Sequence, residues 1–367
     1  MKPGTTQPFT LRLLFWIHLS GTIIISPVVT TGTLTAQVIE PTPAITIQPA
    51  RLLTFETQKG AFYQLEQKTS SAKQWLPVGP PILGCGNTKQ HYQRVEPNSD
   101  QDSYRLRKLS KQWVMVWNDE FNATRLDPTK WAREENGYGG GNHERQFYST
   151  DTKYCHTKDG TLRISVFRDP HTTVDGKTQP YSSARIRTLH RAAWHYGRFE
   201  IRAKMPNGQG IWPAVWLLPT KSPYGTWASS GEIDIIESRG SEVNKTTGAL
   251  HFGGEWPRNT YLSADYIFPG KNAAEGFHTY VLEWHKDRIS WSVDGVTYQT
   301  INKEQWHSEK APDNPYAPFD HPFHLIINVA VDGRFFQGTK QNSNLLADDA
   351  FPQTMQVDYV RVYQWAK

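Results

Sequence analysis

Thr279-Tyr-Val-Leu-Glu-Trp284, then Ile289-Ser-Trp-Ser-Val293, then Asp294-Gly295, then Val296-Thr-Tyr-Gln-Thr300: this stretch decides the fold. In each run β-branched and aromatic residues alternate with polar ones, the period-two pattern of strands with one buried face. Asp-Gly between two such runs is a two-residue hairpin signal, since both turn positions need positive φ and these residues tolerate it. Working outward, similar runs occur at Val114-Met-Val-Trp117, Leu162-Arg-Ile-Ser-Val-Phe167, Gly197-Arg-Phe-Glu-Ile-Arg-Ala203 and Gln356-Val-Asp-Tyr-Val-Arg-Val-Tyr363. Gly, Pro, Asn or Asp turns bound each one, and no amphipathic helix of convincing length intervenes. Many short strands predict an all-β sandwich or barrel.

Upstream, shorter alternating pieces lie at Ala61-Phe-Tyr63-Gln-Leu65-Glu66, Trp75-Leu-Pro-Val78 and Tyr104-Arg-Leu106-Arg107. They predict a small β-rich accessory module over residues 51–110, serving as a passive spacer or as a carbohydrate or cell-surface attachment. Residues 37–50 are rich in Thr and Pro, which disfavours helix and central strand alike and reads as a linker. Residues 1–36 begin with Lys2 and Arg12, continue with an apolar stretch from Leu13 to Ile25, and end in small residues up to Ala36. That is the pattern of a secretory signal peptide, too short in its apolar part to span a bilayer stably. The expectation is a secreted protein with no stable membrane span once the leader is removed.

The 367 residues are 37% hydrophobic and 20% charged, enough to bury a core. Aromatic residues make up 13%, with 14 Trp, more than packing alone asks for and well suited to sugar faces. The net charge of +5 is scattered rather than gathered in a basic stripe, so no nucleic-acid partner is expected. Cys85 and Cys155 are the only cysteines, which permits one bridge and excludes a disulfide scaffold or a cysteine-ligated metal.

The chemistry concentrates in Glu232-Ile-Asp234-Ile-Ile-Glu237. Alternation puts Glu232 and Asp234 on one face and leaves Glu237 out of phase by one. A β-bulge between Asp234 and Glu237 restores the phase and turns all three carboxylates the same way. Clustered carboxylates repel and gain nothing structurally, whereas cleavage of a glycosidic bond with retention needs two of them across the anomeric centre. An acidic strand edge that resists aggregation, or an oxygen-donor calcium site, are the other readings of the run alone.

The flanking sequences narrow the choice. Gly208-Gln-Gly-Ile-Trp212-Pro-Ala-Val-Trp216-Leu-Leu-Pro219 precedes the run and Leu250-His251-Phe-Gly-Gly-Glu-Trp256-Pro257 follows it. Trp117-Asn-Asp-Glu120-Phe121, Asn142-His-Glu144-Arg-Gln-Phe-Tyr148, Ser183-Ala-Arg185-Ile186, Ile326-Ile-Asn328 and Val357-Asp358-Tyr359 occur around them. With these motifs, residues 113–367 resemble glycoside hydrolase family 16, specifically its laminarinase-like endo-β-1,3-glucanases. The resemblance implies a jelly-roll β-sandwich with a concave substrate cleft, in which Glu232 is the nucleophile, Glu237 the general acid/base and Asp234 the residue that orients the nucleophile. It implies Trp212 and Trp256 as sugar platforms with Trp216 in the core, His251 facing the cleft, and Asn142, Glu144, Arg185 and Asn328 as polar sugar contacts. It also implies a structural calcium near Asp358 and Glu120, no cofactor for catalysis, and a monomer acting on a β-glucan.

The sequence departs from the family pattern at His190-Arg191, where a Lys-containing loop is expected, and at Arg334-Phe335, where Gly-Gly and a Trp are commoner. These departures bear on outer subsites. The alternatives are a hydrolase of algal galactans such as agar or carrageenan, a transglycosylase, and a non-catalytic glucan-binding protein, the last of which the retention of all three carboxylates disfavours.

Overall fold

In the computed structural model, residues 50–366 are described except 60, 70–71, 73, 80, 85, 87, 95–101, 111, 271–273 and 337–350. The expected signal peptide, nearly all of the linker and Cys85 lie outside the described residues. Cys155 is buried as a free thiol. Among the described residues, no helix is long and apolar enough to cross a membrane.

The chain divides into two compact units, the first ending at Gln112 and the second spanning Trp113–Trp365. In the first, Phe62–Lys68 pairs antiparallel with Leu76–Pro77, Ile82–Leu83 and Ser103–Leu109, and Ala50–Glu56 forms a separate ribbon with Thr88–Arg94. Phe62, Tyr63, Leu65 and Leu109 are its buried apolar residues. Glu66 is held there between Arg105 and Arg107 at 2.7 and 2.8 Å.

The second unit is a jelly-roll sandwich of two sheets. An eight-stranded sheet runs in the order Cys155–Lys158, Thr161–Val166, Gln353–Ala366, Gly197–Lys204, His278–Trp284, Arg288–Val293 and Val296–Asn302, with Gln112–Asp119 also paired to Gln353–Ala366. A seven-stranded sheet runs in the order Asn259–Ile267, Lys245–Gly253, Glu232–Glu237, Ile211–Pro219, Phe323–Val331, Arg185–Arg187 and Ala132–Arg133. The hairpin at Asp294-Gly295 forms as read, with Val293 opposite Val296 and φ of 49° and 81° at the two turn residues.

Strict alternation in Gly197–Lys204, buried at every second position, gives that strand one face in the core. Phe199, Ile201, Leu282, Trp284, Trp291 and Val293 from one sheet share a core with Val215, Leu217, Ile233, Ile236, Leu250, Leu325 and Ile327 from the other. Phe323–Val331 is buried along its whole length, which accounts for its unbroken apolar run. The acidic strand is third of seven, so carboxylates on its other face look away from the core, between two paired neighbours.

Candidate active site

The register of Glu232–Glu237 explains how one short strand presents three carboxylates. Against Lys245–Gly253, Glu232 pairs with His251, Ile233 with Leu250 and Asp234 with Ala249, but Glu237 pairs with Thr247. Gly248 therefore faces both Ile235 and Ile236, and the extra residue is a β-bulge between Asp234 and Glu237. On the other side Trp216 pairs with Asp234, Val215 with Ile236 and Ala214 with Glu237, the same one-residue shift. Glu232, Asp234 and Glu237 consequently share the open face while Ile233 and Ile236 enter the core.

Hydrogen bonds and charges fix each carboxylate. Trp227 Nε1 donates to Glu232 Oε2 at 3.0 Å, and Trp212 Nε1 donates to Glu237 Oε1 at 3.1 Å. His251 Nε2 lies 3.4 Å from Asp234 Oδ2 and 3.9 Å from Glu232 Oε1. Burial pushes all three carboxyls up, each to about 8, with Asp234 further raising both Glu232 and Glu237 by repulsion. Charge on one member makes ionisation of the next harder, so the cluster can hold an ionised carboxylate beside a protonated one. That division of states is what double displacement requires.

Aromatic rings line the same face. Trp256 is 63% exposed, its ring centroid 6.5 Å from Trp227, with the Arg334 guanidinium 5.7 Å from the Trp256 ring. Trp212 stacks against Phe335 at 4.3 Å and 10°, and Arg239 covers Phe335 at 3.9 Å. One face of the Trp212 ring is thus taken by Phe335, leaving its N–H committed to Glu237.

Several other expected contacts sit differently. Trp216 is not in the core: it shares the face of Asp234, and its Nε1 donates to Asn328 Oδ1 at 2.8 Å. The two-residue step from Trp212 through Ala214 to Trp216 keeps them on one side of the strand, a signal the alternation already carried. Glu144 and Arg185, 5% and 7% exposed, join a buried network rather than standing free in a cleft. Glu144 accepts from Gln146 at 2.7 Å, while Arg185 bonds Tyr148 at 3.2 Å and lies over the Tyr148 and Trp216 rings. Arg185 pairs with Asn328, which pairs with Ala214, so it flanks Trp216 on the face of the carboxylates. Asn328 is buried with its oxygen engaged, and the backbone carbonyl of half-buried Asn142 accepts from the Arg334 amide at 2.7 Å.

Asp358 is paired with Arg202, and both oxygens of Glu120 are held by Arg361 at 2.9 and 2.8 Å. Among the described residues, the cluster of acids and imidazole with ligand atoms within 4.8 Å of one another is Glu232, Asp234 and His251. Sequence reading missed Trp227, and it marked Phe335 only as a departure from the family pattern bearing on outer subsites. Trp227 lies five residues ahead of Glu232 in a turn-rich segment, where no periodicity marks which side chain reaches the strand.

The family profile described as Glycosyl hydrolases family 16 matches residues 143–361, more than half of the chain. Glucan endo-1,3-beta-glucosidase A1 of Niallia circulans is 44% identical over 261 residues, covering 68% of this chain and 38% of that protein's length. Beta-glucanase of Rhodothermus marinus is 38% identical over 260 residues, covering 70% of this chain and 86% of the relative. The laminarinase catalytic domain of Thermotoga maritima superposes with a TM-score of 0.60 at 33% identity, covering 69% of this chain and 98% of that structure.

The raised carboxyls make stability depend on pH. Their folded values lie above the ordinary 4.5 of a glutamate, so the native state holds more protons than the unfolded chain between that value and about 8. Their contribution is fully present below the ordinary range and is lost as pH rises through about 8. Glu232→Gln is expected to raise the thermal denaturation midpoint, by little near pH 4 and by most near pH 8. Equal midpoints for variant and parent across that range, read by calorimetry, would contradict the burial of a titrating cluster.

Proposed function

The chain belongs to glycoside hydrolase family 16, and on that premise we propose that it is a retaining endo-glycosidase cleaving internal β-1,3 bonds of laminarin-like glucans, with mixed β-1,3/1,4 glucans as further substrates. The observation that carries this reading is the bulge that turns Glu232, Asp234 and Glu237 onto one face between Trp227 and Trp212. Catalysis in this family rests on carboxyl groups and needs no cofactor.

In the proposed reaction, Glu237 gives its proton to the leaving glycosidic oxygen as the Glu232 carboxylate bonds to the anomeric carbon. Water then attacks the glycosyl-enzyme, releasing its proton to Glu237 and freeing Glu232. The Trp227 N–H donates to Glu232 and the Trp212 N–H to Glu237, and Asp234 orients the nucleophile's surroundings. Trp256, open to solvent and tilted toward Trp227, offers a ring face to a sugar. The names of the Niallia and Rhodothermus relatives support the glucan over a galactan.

We read the protein as secreted and monomeric, residues 51–110 as an accessory module separate from the catalytic domain of 113–367, and the Thr/Pro-rich segment as their connection to the leader. Asp358 and Glu120 already face guanidinium groups, which put positive charge where a cation would sit. That donor set does not fit a calcium ion, and these acids are read as ion-paired, Asp358 within its strand and Glu120 just past the end of Gln112–Asp119.

Two measurements test this account. Laminarin, barley mixed-linkage glucan, agarose and κ-carrageenan are offered to the parent and to Glu232→Gln, and reducing ends are counted. Laminarin cleavage that falls by about three orders of magnitude or more in the variant is expected for loss of a nucleophile; cleavage of a galactan alone overturns the substrate, and unchanged activity in the variant overturns the nucleophile. Dialysis against EDTA is expected to leave the denaturation midpoint unchanged, whereas a fall reversed by calcium would show that the protein binds a stabilising cation and overturn this reading.

A further inference from the structure

The bulge that aligns the carboxylates is held from behind, across the core. The backbone carbonyl of Asp234 accepts a hydrogen bond from Trp291 Nε1 at 2.8 Å. Trp291 belongs to Arg288–Val293 of the opposite sheet and is 1% exposed. Carbonyls of a regular strand point sideways at neighbouring strands. One that meets an indole from the facing sheet has been turned toward the core, as an inserted residue does.

Gly248, the residue opposite the bulge, makes room for this indole. A Cβ at Gly248 would stand 2.5 Å from Trp291 Cδ1, 2.8 Å from its Nε1 and 2.6 Å from the Tyr298 hydroxyl, all closer than real Cβ contacts. Trp291 also sits at an irregularity of its own hairpin. It pairs with Gln299, whereas Ser292 pairs with Thr297, so Tyr298 is the extra residue there. Two bulges thus face one another, with Gly248 between the Trp291 and Tyr298 side chains and the catalytic strand.

We propose that Trp291 is a positioning residue for the reaction, fixing through the Asp234 carbonyl the point at which the extra residue enters the catalytic strand. This rests on the reading of Glu232 and Glu237 as the catalytic pair. A one-residue slip of a strand exchanges its faces. If the insertion moved past Ile235 and Ile236, Glu237 would turn toward the core and an isoleucine would take its place beside Trp212. The bulge needs a fixed address, and the indole N–H supplies one without touching the sugar.

The test is Trp291→Phe in the full chain, which keeps an aromatic ring in the core and removes the N–H, with Glu232→Gln as reference and laminarin as substrate. The expected result is a kcat lowered about 10- to 100-fold, the scale of a small misplacement of reacting groups. KM is expected to change less than about twofold, because the exposed sugar-facing rings are untouched. The alkaline limb of the pH profile moves as the surroundings of Glu237 change, while circular dichroism and cooperative unfolding persist. Parental kcat and an unmoved pH profile in a folded variant overturn the proposal. If Trp291→Phe does not fold, Gly248→Ala is read the same way, since its added methyl pushes the indole off the carbonyl while leaving every donor in place. Failure of both to fold overturns a positioning role in favour of a purely structural one. Retained hydrolysis in Glu232→Gln would instead sink the catalytic reading itself, whereas an inactive Glu232→Gln beside an unimpaired Trp291→Phe removes only the role of Trp291.

Discussion

A strand alternates its side chains strictly, so three acids at positions 232, 234 and 237 cannot share a face unless one residue is inserted between them. The site depends on that insertion. It lets Ile233 and Ile236 remain in the core while all three carboxylates face the other way, and it does so on the third of seven strands, where paired neighbours on both sides limit how the backbone can relax. Trp216, directly opposite Asp234 on the adjoining strand, and Trp212, two alternations further along it, acquire their places on the same face from the same register. The jelly-roll acts as a rigid frame in which a single irregular step is tolerated and used.

Gathering acids works against folding. Burial pushes all three carboxyls up, repulsion by Asp234 raises Glu232 and Glu237 further, and nothing among their direct partners is a fixed cation that would cancel the effect. Two indole N–H groups and one imidazole surround them, which orient and moderate without neutralising. A guanidinium in their place would fix every carboxylate as an anion and remove the proton that a general acid must give. The contrast with the opposite sheet is instructive: Glu120 and Asp358 are each matched with an arginine. Arg361 holds the Glu120 carboxyl below the usual range, while burial pushes those on the open face up. The stability lost at the cluster is carried by the large apolar interior, in which Trp284, Phe199 and Phe323 are fully buried.

How far the sequence could be read follows from which interactions are local. Alternation and turn chemistry are local, and they marked most strands of the eight-stranded sheet, the acidic strand, the Asp294-Gly295 hairpin and even the phase error at Glu237, but not the strands that flank the acidic one. Which ring meets which carboxylate is decided by strand order, which alternation does not encode. Trp227 reaches Glu232 from a turn, Phe335 covers Trp212 from a different connection, and Trp291 reaches Asp234 from the other sheet. Glu144 and Arg185 show the same limit: their motifs mark them as polar residues of the site, but not that they are buried, with Arg185 over the Tyr148 and Trp216 rings.

The stack of Trp212, Phe335 and Arg239, together with Arg334 beside Trp256, gives the open face a boundary of its own at the positions where the sequence leaves the usual family pattern. In the proposed reaction the bulged strand presents Glu232 and Glu237 on one face for double displacement. Proton NMR of laminarin digestion in its first minutes, before mutarotation, tests it most directly. The account predicts that the new reducing ends appear first as the β-anomer and then relax to equilibrium, and first appearance of the α-anomer would contradict it.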